Sequence, residues 1–202
     1  VSAQANICSP EDHLTLAVFS GDTSTRGTGS VLYLPPPNHI PADRSIRPRE
    51  TDPIHPLALA TNGRGGMLRA SSAWGELRSR YDALLAGNLD PSVPEDRRIM
   101  FTRCRAWLVY RGYSEELGLS KLLDFSQGRD NTIRWRFRIP FGQGRSTRLD
   151  IRAFMPHDRN AVRLLFSRLP DPSPGNRLAD LEAVRLILRP DIEDRSFHEV
   201  TK

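Results

Sequence analysis

From residue 132 onward the chain alternates apolar and polar positions with a period of two. Residues 132–139 read TIRWRFRI, which puts Ile133, Trp135, Phe137 and Ile139 on one face and Arg134, Arg136 and Arg138 on the other. A helix would scatter these residues around its circumference, whereas a strand sorts them, so the segment is expected to be a half-buried strand. Phe141-Gly142-Gln143-Gly144 supplies a turn. The same alternation returns at Leu149, Ile151 and Ala153, at Val162, Leu164 and Phe166, and at Val184, Leu186 and Leu188. Repeated strands with one apolar and one arginine-rich face describe an antiparallel sandwich with one wet face per sheet.

The first half is less regular. Residues 99–110 (IMFTRCRAWLVY) predict a long strand with Phe101, Arg103 and Arg105 on one side and Thr102, Cys104 and Ala106 on the other. Leu57-Ala58-Leu59-Ala60 leads into a glycine-rich turn, Thr61-Asn62-Gly63-Arg64-Gly65-Gly66, and residues 67–83 suggest strands broken by a loop. Residues 13–19 (HLTLAVF) alternate as a strand, and 31–34 form a second apolar run across a Gly/Ser/Thr loop at 20–30, so the two are expected to form a hairpin. Prolines at 35, 36, 37, 41, 48, 53 and 56 can neither donate to a sheet ladder nor continue a helix, which marks an irregular linker. The one candidate helix is the short stretch 115–123. The expected fold is therefore all-β, an antiparallel β-sandwich over 57–202. It is preceded by short strands and a Pro-rich segment at 1–56 that reads as the tail of a preceding module.

Composition narrows the classes. Of 202 residues, 38% are hydrophobic and 26% charged, enough apolar material for a core. No apolar run approaches a bilayer-spanning length, so a membrane partner is not expected. The chain begins at Val1 with a mixed polar stretch, which suggests a fragment or processed chain without an export signal and predicts a cytoplasmic location. Two cysteines, Cys8 and Cys104, make no disulfide framework, and Cys104 in its apolar run is expected to be a core thiol; pairing of the two stays open. The formal charge of +5 is carried mostly by arginines dispersed among Asp and Glu, which favours a solvated surface over a nucleic-acid stripe.

Candidate chemistry is sparse. The Gly63–Gly66 turn lacks the following Lys-Ser/Thr of a phosphate loop, so positive φ is the better reading. The five histidines, His13, His39, His55, His157 and His198, show no metal-ligand spacing. There is no Gly-x-Ser-x-Gly elbow. Carboxylates that would serve glycoside hydrolysis include Glu76, Asp82, Glu182, Glu193 and Asp194, but surface charge or pairing with arginine accounts for them more simply. Of Trp74, Trp107 and Trp135, the last belongs to an apolar strand face. Trp74, between Ala73 and Gly75, is the candidate platform for a sugar ring, with burial in the core as the competing reading.

Three segments in order resemble the β-sandwich domain that precedes the catalytic barrel in bacterial and archaeal glycogen debranching enzymes, the amylo-α-1,6-glucosidase family. They are the turn Thr61-Asn62-Gly63-Arg64-Gly65-Gly66; the stretch Ser79-Arg80-Tyr81-Asp82-Ala83-Leu84-Leu85 with the Pro-rich turn at 91–97; and the closing stretch Leu188-Arg189-Pro190-Asp191-Ile192-Glu193-Asp194-Arg195-Ser196-Phe197-His198. Met67 stands where the family has an aromatic residue, and Asp82 where a histidine is frequent. The resemblance implies a supersandwich of the galactose-mutarotase type. It implies a non-catalytic accessory role beside a helical α/α-barrel of the same parent chain, whose carboxylates would cleave α-1,6 branches of glycogen. It also implies an α-glucan such as glycogen or a maltooligosaccharide as partner, with no cofactor, metal or catalytic residue on this chain. A free-standing carbohydrate-binding module and an arginine-rich polyanion binder are the alternatives. Candidate glucan or domain-interface residues are Asn62, Arg64, Trp74, Arg80, Tyr81, Asp82, Asp194, Arg195 and His198.

Overall fold

The computed structural model describes residues 11–20, 23–32, 43–48, 55–90, 92–93, 95–128, 130–172, 177–179 and 181–200, with side chains from Ser45 onward. The chain divides into two compact units, 1–42 and 43–202. In the first, β1 (Glu11–Ser20) pairs antiparallel with β2 (Thr23–Leu32) from Glu11↔Leu32 to Ser20↔Thr23. A hairpin is present as expected, but residues 23–30 are strand and not loop. Threonines at 23, 25 and 28 favour extended backbone, and the small residues between them disguised that preference. Most of the Pro-rich segment, and Cys8, lie outside the described residues.

The second unit is a pair of antiparallel sheets. One has the order β12-β11-β10-β9-β3, formed by β3 (Asp43–Ile46), β9 (Leu122–Gly128), β10 (Ile133–Phe141), β11 (Arg145–Phe154) and β12 (Arg163–Leu169). The other has the order β13-β7-β6-β5-β4, formed by β4 (Leu57–Thr61), β5 (Met67–Ser71), β6 (Ala83–Asn88), β7 (Arg97–Tyr110) and β13 (Arg185–Ser196). A short β8 (Tyr113–Glu116) extends β7. No α-helix occurs among the described residues, in keeping with the all-β expectation.

The core lies between the two sheets. Trp135, Phe137, Ile133 and Ile139 of β10 are fully buried and meet Ala58, Ala60, Leu68, Leu84, Cys104, Ala106 and Leu108 from the facing sheet. Burial of apolar area between inner faces is the main force holding such a sandwich together. Burial along β7 alternates from Thr102 onward, with Cys104 inside and Arg103 and Arg105 outside. That burial raises the Cys104 thiol pKa, so the group behaves as a small core residue. β13 runs along an open sheet edge and carries Pro190, the residue that an edge tolerates and a central strand does not. There Leu188 departs from the simple alternation and is exposed together with Ile187 and Ile192.

The expected helix at 115–123 is a correction. Its first part is β8, paired to β7 through a tight turn at Arg111 (φ 45°) and Gly112 (φ 85°); Leu119–Lys121 is one 3-10 turn, and β9 begins at Leu122. Two consecutive positive φ values make the hairpin turn whose twist matches the strands. The hairpin ladder to β7 outweighs local helix preference.

Candidate functional site

The turn linking β4 to β5 is built around one buried amide. Asn62 is 1% exposed, and its Oδ1 accepts from the backbone N–H groups of Arg64 and Gly66, both at 2.8 Å. Its Nδ2 donates to the Arg159 carbonyl and to Asn160 Oδ1, both at 2.9 Å, while Asn160 Nδ2 reaches the Asn88 carbonyl at 2.7 Å. These bonds tie three loops into one unit, satisfying polar groups that would otherwise be costly to bury. Glycine is required at Gly66 for space, because a Cβ there would stand 2.3 Å from Asn62 Nδ2. At Gly65 it is required for conformation, with φ +82°.

Beside this turn, Arg64, Gly65, Asn88, Leu89, Arg97, Asp158 and Asn160 line a groove of about 530 Å³. Leu89 is exposed, and Arg64 reaches across to the Asp158 carbonyl at 3.5 Å. Arg97 joins the groove to a second feature, since its guanidinium lies 5.3 Å from the Phe197 ring centroid. Phe197 packs against Tyr81 (4.9 Å between centroids) and His198 (5.5 Å). The Tyr81 hydroxyl is 3.5 Å from His198 Nδ1, Arg80 donates to the His198 carbonyl at 3.1 Å, and the Arg80 guanidinium lies 5.5 Å from the Tyr81 ring. The base of this cluster is apolar: Ala83, Ala86 and Ile99 are buried on the outer face of the sheet, with Met67 and Phe197 against them.

The structure thus brings most of the sequence-selected residues into two adjoining groups, Asn62 with Arg64, and Arg80, Tyr81, Arg195 and His198. Their roles differ. Arg195 is 8% exposed and is spent inside the protein, donating to Glu193 (2.6 Å), the Glu199 carbonyl and the Arg80 carbonyl (both 2.7 Å). Asp82 is 3% exposed. It accepts from Arg69 and from the backbone N–H groups of Arg78 (2.7 Å) and Ser79 (2.9 Å), which fixes the loop before β6. Asp194 is exposed and pairs with Arg98 at 2.6 Å, a bond that raises the guanidinium pKa. Arg64, Arg80, Tyr81 and His198 remain presented to solvent at least in part.

Trp74 requires correction. It is 4% exposed and packs edge-on against Trp135 (5.1 Å, 74°) and Phe166 (6.1 Å, 88°), so it is core and offers no face to a sugar. The small neighbours Ala73 and Gly75 let the backbone approach the sheet, and the large ring fills the space beneath. Sequence reasoning missed Phe197, Arg97, Asn88, Asp158 and Asn160 as site residues. Phe197 stood inside the closing motif; the other four carry no local signal, because distant loops assemble them.

Among the described residues no cluster of three His, Cys, Asp or Glu side chains is arranged to hold a metal ion, and no helix is long and apolar enough to cross a membrane. A groove rimmed by guanidinium, amide and carboxylate groups beside partly exposed rings suits a polyhydroxylated ligand. The planar groups bond hydroxyls and the rings cover C–H faces. Among known protein families, the model described as "Glycogen debranching enzyme N terminal" matches residues 58–202. No curated protein and no solved structure matches.

Proposed function

Because the chain belongs to the glycogen debranching enzyme N-terminal family, we propose that it is the accessory domain of an α-1,6-branch hydrolase, contacting α-glucan while a helical barrel of the same parent chain performs the cleavage. In this reading residues 1–42 are the end of a preceding module, and 57–202 together with the edge strand β3 form the sandwich that frames the glucan entrance. The chain contributes no catalytic residue and works in the cytoplasm.

The observation that supports glucan contact is the continuity of the groove with the Tyr81–Phe197–His198 cluster through Arg97. Arg64, Asn88, Asp158 and Asn160 would bond hydroxyls in the groove, and the Tyr81 and His198 rings would cover the adjoining sugar. Exposed Ile187 and Ile192, which pair with Trp107 and Phe101 and so share one face of edge strand β13, give the surface best suited to the barrel, since exposed apolar residues along a sheet edge invite association.

Calorimetric titration of the chain with maltooligosaccharides and glycogen, with heparin as the charged control, tests this reading. Saturable glucan binding at moderate salt, weakened by about tenfold in Tyr81→Ala, is expected. Tight heparin binding without glucan binding would replace it with a polyanion reading. Absence of both would leave only the packing role.

A further inference from the structure

On the other sheet, the outer face carries a lattice of guanidinium and carboxylate groups. Arg134, Arg136 and Arg138 form the central row on β10, with Arg148 and Arg152 beside them on β11. Three aspartates face these five arginines. Asp150, with a side chain 1% exposed, accepts from Arg136 Nε at 2.9 Å and stands 3.9 Å from Arg134 Nε. Asp171, fully buried, accepts from Arg138 Nε at 2.8 Å and from Ser146 Oγ at 2.6 Å. Asp124 is 3.8 Å from Arg136 Nη1 and accepts from Ser45 Oγ at 3.4 Å. Asp150 and Asp171 are therefore taken up, while Asp124 Oδ1 is buried with no hydrogen-bond partner among the described residues; five arginines against three aspartates leave the face positive.

Among the described residues Arg134 Nε and Arg148 Nε are buried donors with no hydrogen-bond partner, and Arg148 Nε stands 4.0 Å from Asp171. The Arg148 side chain lines an open cavity of about 650 Å³ together with Arg47 and Arg136, with Asp124 as its acid among the described residues, and with Ser45, Pro48, Leu122 and Leu123. The Arg136 fork is held by Asp150 through Nε and Nη2, so Arg47 and Arg148 are the guanidinium groups that can turn a fork to the cavity. Two such groups favour an oxyanion, because each planar fork can donate two parallel N–H bonds to its oxygens. The cavity is larger than such a group alone requires, and Pro48, Leu122 and Leu123 give it an apolar stretch of wall.

We propose that this cavity binds a phosphate monoester, the phosphate taking donors from Arg148 and Arg47 and the ester's carbon skeleton lying against Leu122, Leu123 and Pro48. The site is on the opposite sheet from the turn-end groove and stands independently of the glucan reading.

Titration calorimetry of the full chain with glucose 6-phosphate, inorganic phosphate and unphosphorylated glucose tests the proposal. The expected order is glucose 6-phosphate tightest, inorganic phosphate weaker and glucose not bound. Arg148→Gln should weaken glucose 6-phosphate binding by about tenfold or more, in line with loss of a charge-assisted contact. Arg47 is exposed, so Arg47→Gln keeps the melting curve unchanged while weakening binding several-fold, and it answers the question should Arg148→Gln fail to fold. Tyr81→Ala should leave this binding intact. Unaltered affinity in Arg47→Gln and Arg148→Gln proteins with native melting curves would overturn the site, as would no binding of either phosphate probe. Glucose binding as tightly as its phosphate would overturn the oxyanion assignment, and inorganic phosphate binding as tightly as the ester would overturn the skeleton's part in it.

Discussion

The loop at 72–82 sends one aromatic ring to each side of its sheet. Near its start Trp74 turns inward, to a cluster with Trp135, Phe166 and, through Trp135, Phe125 (5.4 Å). Near its end Tyr81 turns outward, to Phe197 and His198. Both clusters have ring separations in the range where edge-on and tilted aromatic pairs attract, so ring geometry does not distinguish them. Their surroundings do. Trp74 is buried against Trp135 and Phe166, beside a pocket of only about 20 Å³ whose wall also includes Arg69, Asp82 and Arg103, whereas around Tyr81 the neighbours are Arg80, Arg97 and His198 beside open groove. The inner cluster can serve stability alone, while the outer one retains surface for a ligand.

The largest effect should come from emptying the inner cluster. Trp135 is fully buried, and its Nε1 donates to the Ser71 carbonyl at 3.0 Å. Trp135→Ala is expected to cost about 3–5 kcal/mol, read by denaturant unfolding, from lost apolar burial, the cavity left behind and an orphaned carbonyl. A loss under about 1 kcal/mol would mean that the two clusters are energetically alike and the contrast is false.

Asp82 couples the two sides, since it holds the loop that carries both rings. Removing a buried carboxylate that accepts from Arg69 and two backbone N–H groups should cost about 2–4 kcal/mol in Asp82→Ala. Hydrogen exchange should then rise at Arg78 and Ser79 while β10 stays protected. If both amides stay protected, the carboxylate is not what holds the loop. On the outer side, Phe197 is only half-buried over Ala83, Ala86 and Ile99, so Phe197→Ala should cost about 1–2 kcal/mol and lower glucan affinity as well. A stability loss as large as that of Trp135→Ala would make the outer cluster a second core.

The strand pattern was legible wherever a residue's environment follows from its immediate neighbours. In β10 every second residue is buried from Ile133 to Phe141, as the alternation requires. β8 was not legible, because its pairing to β7 depends on a turn in which Arg111 takes a conformation usually left to Gly or Asn. The candidate site was half legible. Asn62, Arg64, Tyr81 and His198 sit in contiguous motifs, but whether a motif residue faces solvent depends on partners far along the chain. Asn62 is held by residues 159 and 160, and Arg195 by residue 80. Trp74 failed for the same reason: its small neighbours suggest an exposed turn, and only the packing of Trp135 and Phe166 decides that the ring goes in.

The finest test compares the two inner tryptophans with each other. Trp74 is as buried as the core around it, yet its Nε1 has no acceptor among the described residues, whereas Trp135 Nε1 is bonded to Ser71. Replacing each by phenylalanine keeps a ring and removes the N–H. Trp74→Phe loses some packing volume but relieves a buried donor, so the terms oppose and the net change should be under about 1 kcal/mol. Trp135→Phe loses similar volume and strands the Ser71 carbonyl, which adds about 1–3 kcal/mol. Paired denaturant titrations give the difference directly, with errors common to both cancelling. Equal losses would mean that the indole N–H groups do not matter and the inner cluster is held by ring burial alone. A larger loss at Trp74 would place a bonded partner on its Nε1 and make that ring the polar anchor of the loop.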